Sequence, residues 1–444
     1  MQPTNGFEYR KTPYSVPQWP EDKFELVWMK LIQGSVDSYC RVDPPNAEIY
    51  KSLPQKYWKE LNDPNFKQNF RDFFQGCFDP ESPLFKEICY KQGIKIMTYL
   101  RYLYECEVDK ENLDKVQIER PMFICAVPRC GTTFLHTLLS SVPKAKAIRM
   151  YEHLLPGSKT MTKEGRFKLA HIIRSVISKD DNQKMNAVHN IDDYMNFEEE
   201  LFWKEMIGLD LINMVNFPRL EAYRTHFFDR DYTFVFDSII NEMKMSAVEF
   251  PLPENGYFCM KCADHFMNPD LFFNIQCKDE YKPRIIWLHR EIVQNIRSAI
   301  LLYYYHRSVL DHDLGLEDFE WLNKTVVDMT EIMLKNAMAE REKWIAENPE
   351  RAKWICDVSF SELIKDPMGT CKKIYQFFEM EWDDEIEKCI QDKIDNGHPQ
   401  KHHGRFANEV DKYLFDENEL RKRFNFYYEK YAEYLPNWNV SPNN

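Results

Sequence analysis

The sequence has no apolar run approaching the ~18 residues that a membrane-crossing helix needs. Its first twenty residues, MQPTNGFEYRKTPYSVPQWP, contain no apolar core of the secretory-signal kind. These absences set the expectation of a cytoplasmic protein without membrane contact. Positive charge is in deficit: 58 Lys and Arg stand against 71 Asp and Glu, a net charge of −13. That balance argues against a general nucleic-acid binder, though it leaves room for a local basic pocket that takes a small anion. Metal motifs of the HExxH, EF-hand or clustered His/Cys type are missing, so no metal is expected. The 12 cysteines follow no framework of spacings and several sit in apolar strings (Cys125, Cys356), the pattern of reduced thiols. Glycine is scarce, 13 in 444 residues, so a glycine in a tight place carries information. No repeat and no low-complexity tract interrupts the chain.

What is present is enough apolar surface for a large core: 44% hydrophobic and 15% aromatic residues, with no need of a disulfide or metal staple at this length. Residues 1–118 read as a mostly helical cap, with apolar residues at three- and four-residue spacing in 24–33 and 94–104. The pattern changes at Pro121. Short continuous apolar runs at 122–127 (MFICAV), 257–260 (YFCM), 284–288 (RIIWL) and 354–360 (WICDVSF) have the composition of buried strands. The last three are followed by helix-like sequence at 269–276, 291–304 and 366–378. Strands alternating with helices predict parallel βαβ units, with helical insertions near 160–180, 197–216 and 317–346 and a frayed tail at 436–444.

The run at 122–127 leads through PRCG into TTFLHTLLSS, a glycine-containing turn between a buried strand and a helix start. The first helical turn has N–H groups without intrahelical acceptors, and the helix dipole favours negative charge there. Gly131 lets the backbone approach an anion, Thr132 and Thr133 add hydroxyl donors, and Arg129 adds a fixed charge with a bidentate fork. Taken alone, a capped β–α turn with a surface arginine gives the same pattern. The GxxxxGK[ST] loop of common ATPases and GTPases is absent.

A second anion site follows the run at 284–288. His289 and Arg290 stand at a strand's carboxyl end, where ligands bind in open α/β sheets. Ser298, eight residues on, shares a helical face with Arg290. An arginine at a sheet edge and a buried helix serine would read alike.

Together the two motifs, PRCGTTFLH and Arg290 with Ser298, resemble the sulfotransferase family, enzymes that use 3′-phosphoadenylyl sulfate (PAPS). They occur in the family's order, 161 residues apart, and the first is similar to the P-R-x-G-T-T-F-L-H string of its broad bacterial and invertebrate branch. The resemblance covers about residues 120–435, which makes 119–435 the sulfotransferase-like domain. It implies an α/β, P-loop-like three-layer sandwich with a central parallel sheet, a helical N-terminal cap and helical insertions. It further implies PAPS as co-substrate, no metal, and a small-molecule acceptor with a hydroxyl or amine. By the same resemblance Arg129, Gly131, Thr132 and Thr133 bind the 5′-phosphate and departing bridge oxygen. Cys130 stands where serine is usual and keeps only its backbone N–H as a strong donor, and Phe134 stands where many members stack a tryptophan on adenine. Arg290 and Ser298 would hold the 3′-phosphate, with Arg405 or Lys401 of the basic string KHHGRF over it. YFCMKCADHF (257–266) resembles a strand ending in Lys-Ser-Pro-x-His, which puts Lys261 at the transferring sulfonate. The stretch 357–378 resembles a scaffold strand–loop–helix with Pro367 in the first turn.

Three groups compete as the base that takes the acceptor proton. His189 resembles a family histidine followed by a glutamate pair, with Glu199 or Glu200 to orient it; Glu152 matches the glutamate of tyrosylprotein-type enzymes; His265 follows Lys261 on its strand. His136 reads as packing. The aromatics Phe197, Phe202, Trp203, Tyr303, Tyr304 and Tyr305 line either an acceptor pocket or the core. Two other functions fit the same scaffold: a nucleotide kinase, and a catalytically inactive protein that binds adenosine bisphosphate.

Overall fold

The computed structural model describes residues 21–77, 83–177, 198–200, 202–209, 230–310, 316–396 and 414–435. Five parallel strands form one sheet: β1 (Met122–Cys125), β2 (Ala145–Lys146), β3 (Tyr257–Lys261), β4 (Arg284–His289) and β5 (Ile355–Ser359), in the order β2-β3-β1-β4-β5. Every residue of β1, β3 and β4 is buried, and all of β5 except Asp357. Helices cover both faces of such a sheet, which is why these strands read as unbroken apolar runs rather than alternating ones. β1 is central, with Met122 opposite Cys259 of β3 on one side and Arg284 of β4 on the other. The strand order reverses direction at β1, and in open α/β sheets such a switch point is where ligands bind, outside the carboxyl ends of the strands.

The strands agree with the apolar runs to within two residues. β1 stops at Cys125 because the chain turns into the loop that leads to Gly131, whereas β3 and β4 run on to Lys261 and His289. The two-residue β2 has no counterpart in the sequence reading; it is too short for any apolar pattern. The helix expected over 269–276 is a turn at Pro269–Leu271 followed by a wider turn at Phe272–Gln276, closed by the Cys277 N–H on the Phe272 carbonyl at 3.1 Å. This wider winding sends Phe272 onto the His265 ring and Phe273 onto Trp344. Asp366 accepts the Gly369 N–H at 2.8 Å and caps the helix Pro367–Phe377, with Pro367 in its first turn. The insertions contain the helices Lys163–Ile177, Phe202–Met206 and Leu316–Glu347. No described helix is long and apolar enough to cross a membrane.

The N-terminal cap is built from Glu21–Val42, Ala47–Lys56, Pro64–Cys77 and Pro83–Val108. Trp28 packs on Phe66 and Phe70 in a core that also takes in Tyr151, Leu155, Met161 and Leu169 from beyond β2. Phe73 and Tyr102 of the cap join the main core instead. Packing therefore crosses position 118. A buried ion pair pins the two parts together. Arg101 donates to Glu105 at 2.9 Å, to the Pro156 and Gly157 carbonyls at 2.7 and 2.6 Å, and to Thr160 Oγ1 at 3.0 Å. Glu105 in turn accepts the backbone N–H groups of Lys159 and Thr160. Gly157, at φ 82°, must be glycine: a Cβ there would stand 2.7 Å from the Glu105 carboxylate.

Arg101→Ala leaves the Glu105 charge buried without its counterion and should destabilise the fold by about 3–5 kcal/mol. Urea denaturation followed by circular dichroism measures this, and an unchanged midpoint contradicts the role given to the pair.

Candidate active site

The loop between β1 and the helix Thr132–Leu139 carries two left-handed residues, Arg129 at φ 72° and Gly131 at φ 86°. Gly131 caps the helix start. A Cβ at position 131 would lie 2.7 Å from the Phe360 ring, so close packing as well as φ selects glycine. Arg129 has no such freedom and is held in place by the second motif. Arg290 Nη1 donates to the Arg129 carbonyl at 2.5 Å, and Arg129 Nε donates to Ser298 Oγ at 3.0 Å. Asn295, between Arg290 and Ser298 in sequence, donates to the Pro128 carbonyl at 2.8 Å and contacts Cys130 Sγ at 3.3 Å. The two anion motifs thus meet at the tips of adjacent strands, with Ser298 turned to Arg129 as well as sharing a helix with the residues after Arg290.

This interlock places two guanidinium groups side by side under partial burial. The Arg290 guanidinium lies 4.3 Å over the Phe360 ring. Burial, and then the neighbouring Arg290 charge, bring Arg129 down to about 10, and burial lowers Arg290 too. Both stay charged at neutral pH. Arg290 Nε is buried and has no partner among the described residues. An anion relieves both features, since it separates two repelling cations and accepts an unsatisfied N–H. Burial pushes the Cys130 thiol up to about 12, so it stays a neutral thiol against Asn295 and leaves its backbone N–H to the loop.

On the other flank, Lys261 ends β3 and is fully buried. Its Nζ lies 3.1 Å from Thr133 Oγ1, 2.5 Å from Glu199 Oε1 and 4.0 Å from Glu198 Oε1. Burial by itself would lower Lys261, but Glu199 and Glu198 outweigh it and hold the ammonium above its usual range. Burial raises Glu198. The Glu198 N–H donates to the Ile148 carbonyl at 3.3 Å, and Glu200 accepts from His265 Nε2 and Gln276 Nε2, both at 3.2 Å.

The structure brings together Arg129, Gly131, Thr133, Arg290, Ser298 and Lys261, with Cys130 in the same loop and Thr132 at the helix start. Phe134 is buried in the main core. Glu152 is buried and uses both oxygens locally: one accepts the Arg149 N–H at 3.1 Å to cap the helix Met150–Leu154, the other accepts Ser246 Oγ at 2.8 Å. His265 is buried between Cys125 Sγ at 3.3 Å and Glu200, with its ring stacked on Phe272. His136 Nε2 meets the Cys259 carbonyl at 2.9 Å, and burial drives the ring down to about 3, a neutral packing group. Trp203 and Tyr303 are core residues. His189, Lys401, Arg405 and Phe197 lie outside the described residues.

Sequence reasoning missed Asn295, Glu198 and Phe360. Asn295 had a signal: with Ser298 it forms a polar pair three residues apart in an otherwise apolar helix face. Phe360 had none, because its role depends on β5 lying beside β4.

An open parallel sheet covered by helices, with arginines gathered around one glycine turn, defines an α/β three-layer protein. The chain belongs to the sulfotransferase family, whose family model matches residues 121–384. Two solved structures show the same fold: sulfotransferase STF9 from Mycobacterium avium (TM-score 0.64, 17% identity, 83% of this chain and 96% of that one) and sulfotransferase STF1 from Mycobacterium tuberculosis H37Rv (TM-score 0.61, 15% identity, 92% and 99%). No curated protein sequence matches the chain. Family membership favours sulfonate transfer over the kinase alternative.

Because the Cys130 thiol is buried and raised to about 12, it should resist iodoacetamide at pH 8 in the folded protein and react only after unfolding. Peptide mass spectrometry reads the outcome; rapid native labelling of Cys130 would show that its side chain faces the crevice.

Proposed function

We propose that this protein transfers a sulfonate group from PAPS to a hydroxyl or amine of a small-molecule acceptor. What supports this reading above all is the interlock of Arg129, Arg290 and Ser298, which joins two cationic motifs from distant parts of the chain into one crevice. A single phosphate would need one such site; a ligand with phosphate at both ends of one adenosine uses two. The unpartnered Arg290 Nε and the mutual repulsion of the two guanidiniums suit the 3′-phosphate at Arg290 and Ser298. The 5′-phosphate falls to Arg129, the Gly131 and Cys130 N–H groups, Thr132 and Thr133 at the helix start.

When bound, PAPS supplies an electrophilic sulfonate on a phosphate leaving group. Lys261, next to Thr133, stands where negative charge grows on the departing bridge oxygen and stabilises it as a fixed ammonium. Its present partner is Glu199. A sulfonate arriving at Lys261 competes for that ammonium, which leaves the Glu199 carboxylate more basic and beside the reaction centre. We assign Glu199 the acceptor proton, since Glu152 is committed to a helix cap and His265 to Glu200. His189, which the family resemblance implies as a base with Glu199 or Glu200 orienting it, is the alternative. The roles need no metal: cations and helix N–H groups neutralise the leaving phosphate.

Isothermal titration with adenosine 3′,5′-bisphosphate and transfer from ³⁵S-labelled PAPS to a panel of phenols, alcohols and amines test the reading. Arg290→Ala should weaken bisphosphate binding about 100-fold, the loss of a charge-assisted pair of hydrogen bonds; unchanged affinity removes the 3′-phosphate from Arg290. Glu199→Gln should lower turnover at least about 100-fold while bisphosphate affinity holds. Full activity in that variant passes the base to another group, and bisphosphate binding without transfer to any acceptor makes the protein an inactive binder.

A further inference from the structure

His153 is buried completely, and its two ring nitrogens face groups that only accept hydrogen bonds. Nδ1 stands 3.0 and 3.1 Å from the two oxygens of Glu242, on the helix Thr233–Glu249, and Nε2 stands 3.3 Å from the main-chain carbonyl of Glu198. A carboxylate and a carbonyl both ask for an N–H, so the ring carries both protons and is an imidazolium. Burial alone would strip the second proton; the Glu242 charge outweighs that, with Glu200 and Glu152 behind it, and raises His153. Glu242 is itself fixed by the Trp203 indole N–H at 2.6 Å, and Trp203 packs edge-on against Tyr102 of the cap.

This chain of contacts ends at the reaction centre. The Glu198 main chain is held at both ends, its N–H on the Ile148 carbonyl and its carbonyl on His153. The next residue is Glu199, whose carboxylate reaches Lys261, and Lys261 reaches Thr133 of the phosphate loop. We infer that His153, clamped by Glu242, is a positioning residue that fixes the 198–199 turn and so aims the Glu199 carboxylate at Lys261 and at the acceptor oxygen or nitrogen. The inference rests on the role proposed above for Glu199. His153 touches no reacting atom. It acts through one carbonyl, and a displacement of the base by about 1 Å suffices to cost roughly 100-fold in rate.

Two variants and two readouts decide the matter. In His153→Gln, and in the isosteric Glu242→Gln, transfer from labelled PAPS to the acceptor panel should fall about 10- to 100-fold in kcat, with acceptor KM and bisphosphate affinity at wild-type values. Combined with Glu199→Gln, either variant should lower kcat no further, since both act through that carboxylate; a multiplicative loss in the double variant makes His153 a general structural residue and overturns the inference. The second readout is ¹⁵N NMR of histidine-labelled protein, assigned by the His153→Gln spectrum. The His153 ring should be doubly protonated at pH 7.5 in the wild type and neutral in Glu242→Gln. A neutral wild-type ring overturns the inference even where no acceptor of the panel is sulfonated, whereas absent transfer with a doubly protonated ring counts against the proposed activity and leaves the clamp standing.

Discussion

The site depends on two arginine side chains held close to each other in a place with little water. Like charges at such range repel; Arg290 spends a donor on a carbonyl and lies on a ring, while Arg129 donates to a serine hydroxyl. The fold tolerates this because the parallel sheet delivers β1 and β4 as neighbours, so their carboxyl-end loops have no choice but to share space. The cationic crevice is therefore a property of strand order before it is a property of any single residue. The left-handed turn at Arg129 follows from it, as a backbone held from outside by Arg290.

The opposite flank is arranged by the opposite sign. Lys261 would be a poor resident of a buried strand end on its own, and two consecutive glutamates, Glu198 and Glu199, supply the compensation. Two histidines in turn hold this segment, His153 at the Glu198 carbonyl and His265 at the Glu200 carboxylate. The crevice thus has a cation-rich wall that suits phosphate and a balanced wall where ammonium and carboxylate already neutralise each other. Chemistry that moves a proton and a charged group at once suits such a boundary.

Much of this was legible in the sequence because it is local. The four long strands announced themselves as apolar runs, and the glycine turn, Arg290 and Lys261 each stand at or just past the end of one, with Ser298 in the helix after Arg290. What stayed hidden was what tertiary packing decides. Nothing near Phe360 in the chain says that it abuts Gly131, and nothing near Glu198 says that Lys261 answers it. Glu152 illustrates the converse: its sequence context fitted a base, but a carboxylate three residues past Arg149 also completes a helix cap, and both of its oxygens serve structure. The cap boundary at 118 was similarly clear in composition, while the packing around Arg101 and Tyr102 runs straight across it.

The contact between Gly131 and Phe360 has a consequence for how the sequence can drift. Any side chain at 131 collides with the ring and is strained at φ 86°, so the glycine is held by the ring and by its own backbone. Shrinking position 360, however, takes the aromatic face from beneath Arg290. Neither position has a neutral first step, and descendants of this chain are expected to keep both residues.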